Sequence, residues 1–456
     1  MVRDAKEEVD EIIKSQEADV SKAKKNFRED YSRETSRLKK KLILDRVGYG
    51  FAATQFINIL FYLTGAPFFL IGIVNALKSS LSTTLSSLLK EYSKEGFISR
   101  RIITFSGLLF GFSFLFMAFA VSIKSPALFA VSLLFGSLGI VSYGDLFRQF
   151  INNEIKKQRF SLLLSKLAFS GIIITTFSLL LAGYLMDAIP ITGQVFTMNL
   201  FGQVMSFRLY GYLIAFEITA LAFILSSYII SKLNINITGK RKSISGFLSE
   251  YMKNLRSNTK RVLSNKYLLL LSLASIILAV FYSVINSFMG IYIFREYSHI
   301  FLGGFMNVAV MYGAALLFSF FAPVMTAKFR RVLGLAPMFV FGSLLLALLP
   351  LTVVYNANNF YAIIVANVLS VFGGAIIGSA QGLIANRLLN EADKSAFYVS
   401  SGMITVIPFL ILVGILVALP SVIGFLALFE YLAYGIIILL MPLYLLLVFW
   451  STKTKL

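Results

Sequence analysis

Twelve apolar runs follow one another between residues 44 and 449, at about 44–63, 66–90, 102–123, 126–150, 160–187, 208–231, 267–293, 302–325, 332–354, 360–388, 397–419 and 422–449. Each is near the ~20 residues that a helix rising 1.5 Å per residue needs to cross ~30 Å of hydrocarbon. Lipid offers no partner to an unpaired backbone group, so such runs close their hydrogen bonds internally as helices. Only 14% of the residues are charged, against roughly a quarter in a soluble domain, which leaves too little polar surface for a water-soluble globule. The expected fold class is all-α, a polytopic membrane protein with twelve transmembrane helices. Between the first two runs, Thr64-Gly65-Ala66-Pro67 must supply a very tight turn.

A net charge of +20 would invite nucleic acid, but its placement argues otherwise. With the N-terminus inside, the inner segments hold 37 Lys and Arg, the outer segments only Lys124, Arg208 and Arg295, and Lys78 and Lys166 fall within spans. The positive-inside rule then puts both termini of a cell-membrane protein in the cytoplasm and leaves no charge for a nucleic acid to explain. Trp450, near the inner end of the last span, reads as an interface anchor. The chain has no Cys and one His, His299, which excludes disulfides, Cys/His zinc sites and Ser-His-Asp hydrolysis. No phosphate-binding loop of the G-x-x-x-x-G-K-[ST] kind occurs, so no cofactor, metal or enzymatic activity is expected.

Residues 1–42 lack the short apolar run of a signal peptide. They contain no Gly or Pro, and Val9, Ile13, Val20, Phe27, Tyr31 and Leu38 recur at sevens and fours. One charged cytoplasmic helix is predicted there, either a solvated extension or a surface for a partner. A first bundle of six spans fills 43–231 and a second, with a short tail, 267–456. Between them, 232–266 is a basic linker, amphipathic around Phe247, Leu248, Tyr251, Met252 and Leu255, which suits a helix lying on the anionic inner leaflet.

The halves repeat one another. Residues 135–160 match 372–397 at nine of 26 positions, among them Gly136/Gly373, Asn153/Asn390, Glu154/Glu391 and Lys157/Lys394. Residues 211–224 match 424–437 at six of 14, including Phe216-Glu217 against Phe429-Glu430. Spans four and ten correspond, as do six and twelve, in the same direction, so the repeat is parallel. The loop between spans two and three reads Ser87-Leu88-Leu89-Lys90-Glu91, with Arg100-Arg101 beyond it, and the loop after span eight reads Ala322-Pro323-Val324-Met325-Thr326-Ala327-Lys328-Phe329-Arg330-Arg331. Over about residues 43–450 the chain resembles the major facilitator superfamily, whose G-x-L-x-D-R-x-G-R-R signature these two loops echo in degenerate form. The resemblance implies transport by rocking of the two halves, with spans 1, 4, 7 and 10 lining a central cavity.

Candidate residues follow from polarity in apolar surroundings. Gln55 and Asn58 on span one, Lys78 on span two, Tyr282 and Asn286 on span seven and Gln381 on span ten are candidates for binding a solute. Lys78 lies twelve residues into its span, roughly 18 Å deep at 1.5 Å per residue. Asp145, Arg148, Lys166, Glu217 and Glu430 are candidates for proton coupling or gating, or for ion pairs and interhelical hydrogen bonds with no further role. Glu91, Arg100, Arg101, Glu154, Lys157, Arg330, Arg331, Glu391 and Lys394 could form an inner gate whose pairs make and break between two states; the alternative is solvated decoration.

The function expected is secondary active transport of a small organic solute, most simply coupled to protons, with a weak lean toward an anion because Lys78, Lys166 and Arg148 outnumber Asp145. Efflux of amphipathic compounds is the alternative; drug/proton antiporters of the family carry a Gly-Pro motif in span five, where this chain has Gly171 and Gly183 but no Pro. A non-transporting scaffold or receptor acting through residues 1–42 is a third reading.

Overall fold

A computed structural model describes residues 34–453 apart from 95–99, 155–156, 190–191, 201–202, 234–243, 333, 391–392 and 394–405. Most of the expected N-terminal helix, and the candidates Glu391 and Lys394, lie outside these residues. The first described helix, α1 (34–51), runs through residue 42 without a break. It is followed by α2 (Thr54–Leu63), α3 (Phe68–Lys94), α4 (Arg100–Ser122), α5 (Pro126–Glu154), α6 (Lys157–Ala188) and, after a hairpin, α7 (Gly211–Ser231). Next come α8 (Ile244–Ser264), α9 (Lys266–Glu296), α10 (Gly304–Ser319), α11 (Ala322–Val332), α12 (Leu335–Tyr355) and α13 (Phe360–Leu388). The last elements are α14 (Val406–Tyr434), a π-helical turn (Gly435–Leu440) and α15 (Met441–Lys453).

Among the described residues nine helices are individually long and apolar enough to span a membrane, and α10 with α11 makes a tenth span bent by 52°. The shorter apolar helix Val406–Val422 stands at the eleventh expected span. Gly424 (φ 83°) turns the chain from it into the twelfth, a backbone conformation that suits glycine. Gly65 (φ 88°) does the same in the tight connection between spans one and two, where the Thr64 hydroxyl also donates to the Phe61 carbonyl at 2.6 Å.

Two features depart from the expected pattern. Span one is not a continuous helix over 44–63: it breaks at Ala52 and Ala53, with Ala53 extended (φ −55°, ψ 135°). The segment between spans five and six is not helical either. Gln194–Leu200 and Gln203–Leu209 pair as antiparallel strands β1 and β2, Gln194 opposite Leu209, so span six starts at Gly211 rather than at 208. Polar and apolar residues alternate along this stretch, which is the strand signal that span-counting passes over.

An even number of crossings puts the described ends of α1 and α15 on one side, here called the terminal face. Arg37 donates to the Lys232 carbonyl there, and Lys266 lies over the Trp450 ring. The repeat appears as packing: a side chain on Gly136 would strike Ser113 of α4, and one on Gly373 would strike Leu345 of α12, so spans four and ten meet spans three and nine through equivalent glycines. Phe216 and Phe429 are both fully buried. On the outside, Phe105, Phe112, Phe116 and Phe119 of α4 are exposed, while Phe110, Phe114 and Met117 of the same helix are buried. Such an apolar exterior suits lipid.

Candidate functional site

The halves meet mainly along seams where α2 packs on α9, α3 on α14 and α6 on α10, with α3 also touching α9 and α2 touching α10. The seams are tight on the side away from the terminal face. Phe68 at the start of α3 packs on Phe288 and Phe425, and Phe56 packs on Phe305. Gly72 lies against Val417 and Gly183 against Ala309, each so close that a side chain there would force the helices apart. Asp187, at the far end of α6, accepts hydrogen bonds from the backbone N–H groups of Phe305 (3.2 Å) and Met306 (2.6 Å) in the first turn of α10. A carboxylate at a helix N-terminus satisfies free N–H groups and meets the positive end of the dipole.

Between this seal and the terminal face lies a cavity of about 380 Å³. Its polar lining is Tyr49, Gln55, Thr175, Tyr282, Asn286, Tyr312, Ser319, Asn367 and Ser370, interleaved with Ala53, Leu179, Phe281, Ile285, Leu316 and Leu349. None of the described lining residues is charged. The break in span one opens onto it: Gly50 and Ala53 line the wall, and the N-cap Ala53 offers no side-chain acceptor to the first turn of α2. Non-helical backbone at membrane depth is tolerated where it borders a cavity. The Tyr312 hydroxyl, also in the lining, is buried and interacts with the Gln55 side chain beside it. Arg46 and Arg148, both exposed, lie within electrostatic range of Tyr49 at the terminal side of the cavity.

No protein-family model matches the chain, and no curated protein matches it either. Solved structures do. The nucleoside transporter NupG superposes with a TM-score of 0.69 at 9% identity, over 91% of this chain and 98% of that one. A bacterial homologue of the iron transporter ferroportin in its inward-facing state gives 0.61 at 15% identity, over 92% and 98%. An auto-inhibited POT-family peptide transporter gives 0.60 at 12%, over 92% and 97%. The fold is that of the major facilitator transporters.

Within the major facilitator fold the six solute-site candidates divide evenly. Gln55, Tyr282 and Asn286 line the cavity. Asn58 does not: only 1% exposed, its amide donates to the Asn286 carbonyl (2.7 Å) and its oxygen accepts from Asn75 (2.9 Å). That knot ties spans one, two and seven. Gln381 is likewise taken up by a neighbouring helix, donating to Ser275 at 2.8 Å. Lys78 is half-buried, outside the lining, and forms no ion pair among the described residues.

Asp145 and Arg148, three residues apart on α5, form no ion pair with each other. Glu217 is exposed on the outer surface of α7, whereas Glu430 accepts from Tyr434 (3.0 Å), which pairs with Tyr355 (3.2 Å). Arg100 donates to the Leu233 carbonyl at the end of span six (2.7 Å), and Arg101, Arg330 and Arg331 are exposed. Glu91, Glu154, Lys157 and Lys166 sit on α3, α5 and α6, with side chains outside the described set.

One cluster has no counterpart among the sequence candidates. Lys41 and Asp45, 2% and 5% exposed, pair at 2.6 Å inside the N-terminal half. Asp45 also accepts from Tyr143 of α5 (2.8 Å) and Ser226 of α7 (2.6 Å), and the Lys41 ammonium sits 3.2 Å from the centre of the Phe147 ring. Asp45 lies one helical turn from Tyr49, in the cavity wall.

Proposed function

We propose that the chain is a secondary active transporter of a small polar organic solute carrying a negative group, bound in the cavity between the halves and driven by a proton gradient. The observation that carries this reading is the break in span one at the cavity wall, where the first turn of α2 has no side-chain cap. Half-helices interrupted in mid-membrane bind anionic groups at their N-termini in this way. Arg46 and Arg148 flank the terminal side of the cavity and would draw an anion toward it. Neither Lys78 nor Lys166 is needed. The uncharged amides and phenols of the lining, Gln55 and Tyr312 among them, would hold the rest of the molecule by hydrogen bonds. A volume of about 380 Å³ lies in the range of small-molecule sites.

The seal opposite the terminal face makes this the inward-open state if that face is cytoplasmic, as the distribution of basic residues argues. Glu391 and Lys394 belong to the proposed inner gate, with Glu91, Arg100, Arg101, Glu154, Lys157, Arg330 and Arg331. In this state Arg101, Arg330 and Arg331 are released to solvent, and they would find carboxylate partners when the gate closes. The proton carrier is proposed among Asp145, Glu217 and Glu430, with Asp45 added because of its place beside the cavity.

A ligand-stabilisation screen on purified protein, run with organic acids and their matched primary amides at two pH values, tests the substrate class. At least one acid should stabilise the protein where its amide does not, and Arg148→Gln should weaken that acid's binding about tenfold. Equal stabilisation by acid and amide would overturn the anionic assignment. Failure of the stabilising solute to exchange in proteoliposomes would overturn transport itself.

A further inference from the structure

The helix that joins the halves has a surface that neither transport nor packing uses. Helix α8 (Ile244–Ser264) presents Tyr251 and Val262, 4% and 0% exposed, to the bundle. Those positions, with Leu255 and Asn258, fall on one stripe at the 3.6-residue period. Tyr251 comes within 3.4 Å of the Ser87 hydroxyl on α3, in the first half. Ten residues on, Arg261 forms an ion pair with Asp393, just beyond span ten in the second half. Helix α8 is therefore pinned to both halves across the terminal face.

Along the edge of the packed stripe, at Leu255, lies a groove of about 860 Å³ whose described lining, Met252, Lys253, Leu255, Arg256, Thr259, Lys260, Leu263 and Ser264, comes wholly from α8. Met252 and Leu263, at its two ends, are 57% and 58% exposed. Lys253, Arg256 and Lys260 stand between them, exposed and in no ion pair among the described residues. Two apolar side chains bracketing three cations match the boundary between acyl chains and anionic headgroups. Depth is fixed independently, because α8 leads within two residues into α9, whose first residues Lys266 and Tyr267 pack on Trp450. An indole with a lysine and a tyrosine marks the membrane–water interface.

We propose that this groove is a binding site for the headgroup of an anionic phospholipid of the leaflet on the terminal face, with Arg256 and Lys260 on the phosphate and Met252 and Leu263 dipping into the acyl boundary. Because α8 is held to both halves, a lipid seated there favours the spacing between Ser87 and Asp393 seen in this state. Charge complementarity selects this occupant over a neutral lipid or an apolar protein segment. The site stands apart from the solute cavity, and its test needs no transported solute.

The chain has no cysteine, so Met252→Cys carries a single nitroxide label directly. In nanodiscs of phosphatidylcholine with a third phosphatidylglycerol, the label should be more accessible to oxygen dissolved in lipid, and less to a water-soluble relaxant, than in phosphatidylcholine alone. Neutralising the groove with Lys253→Gln, Arg256→Gln and Lys260→Gln should remove that difference and weaken phosphatidylglycerol retention on the detergent-purified protein on the order of a hundredfold, with the elution volume and helical signal unchanged. A triple variant that misfolds is replaced by Arg256→Gln alone, which should remove a fraction of the effect. Equal label environments in the two bilayers would overturn the proposal. So would inorganic phosphate reproducing the shift in neutral nanodiscs, since the occupant would then be a free anion.

Discussion

Lys41 and Asp45 share a buried site with Tyr143, Ser226 and the face of Phe147, so each neutralises a charge that would otherwise be stranded. Removing one partner of such a pair costs about 3–5 kcal/mol, whereas replacing both with apolar residues of similar volume is far cheaper. Asp45→Asn should therefore lower the thermal midpoint of the purified protein markedly, and the double variant Lys41→Met/Asp45→Leu should recover most of the loss. If the double variant is no more stable than the single one, the pair does not act as a unit. The sequence offers no hint of this cluster, because Lys41 and Asp45 belong to a stretch crowded with charge and their partners come from two distant helices, α5 and α7. By contrast, Gln55, Tyr282 and Asn286 are legible as polar residues spaced on otherwise apolar helices. The same signal misdirects at Asn58 and Gln381, whose side chains are consumed by Asn286, Asn75 and Ser275. Spacing identifies a polar face but not what that face meets.

Span positions are readable because hydrocarbon imposes a fixed length and apolarity on any crossing segment. The break in span one is not, since Ala52 and Ala53 are good helix formers and the interruption arises where Gly48 and Gly50 press against Phe223 and Ser178. The Asp187 contact with α10 escapes notice for a similar reason: a carboxylate at a span end looks like a solvated one. It joins the fifth and eighth spans across the seam on the closed far side, so opening that side would break it. Replacing the charge by Asp187→Asn keeps an acceptor but gives up the attraction to the helix dipole, about 1 kcal/mol, and so should shift the balance about fivefold toward the state open on the far side. In a Phe288→Cys background, whose cysteine is shielded by Phe68 of the other half, the variant should react about fivefold faster with a membrane-impermeant maleimide applied from that side. An unchanged rate would mean that the Asp187 contact does not help to hold the far side closed.

Two halves built as parallel copies pack through related seams, span five on span eight and span two on span eleven, and the proposed transport would have them roll about the cavity while each keeps its own core. Rigid halves are what the buried faces of Phe114, Phe216 and Phe223 in the first half, and of Phe339, Phe429 and Tyr444 in the second, provide. Motion then concentrates where the halves touch, at small residues such as Gly183 facing Ala309. A Cβ added at Gly183 would lie 2.7 Å from that of Ala309, and a disulfide holds its Cβ atoms about 3.8 Å apart, so parting these helices by about 1 Å admits the bond. In an otherwise cysteine-free chain, Gly183→Cys/Ala309→Cys should cross-link on mild oxidation and hold the far side shut. Solute exchange across proteoliposomes should then fall to background and return on adding a reductant, while the oxidised protein still binds solute from the terminal face. Exchange that continues through the cross-linked protein would mean that these two spans do not separate during transport.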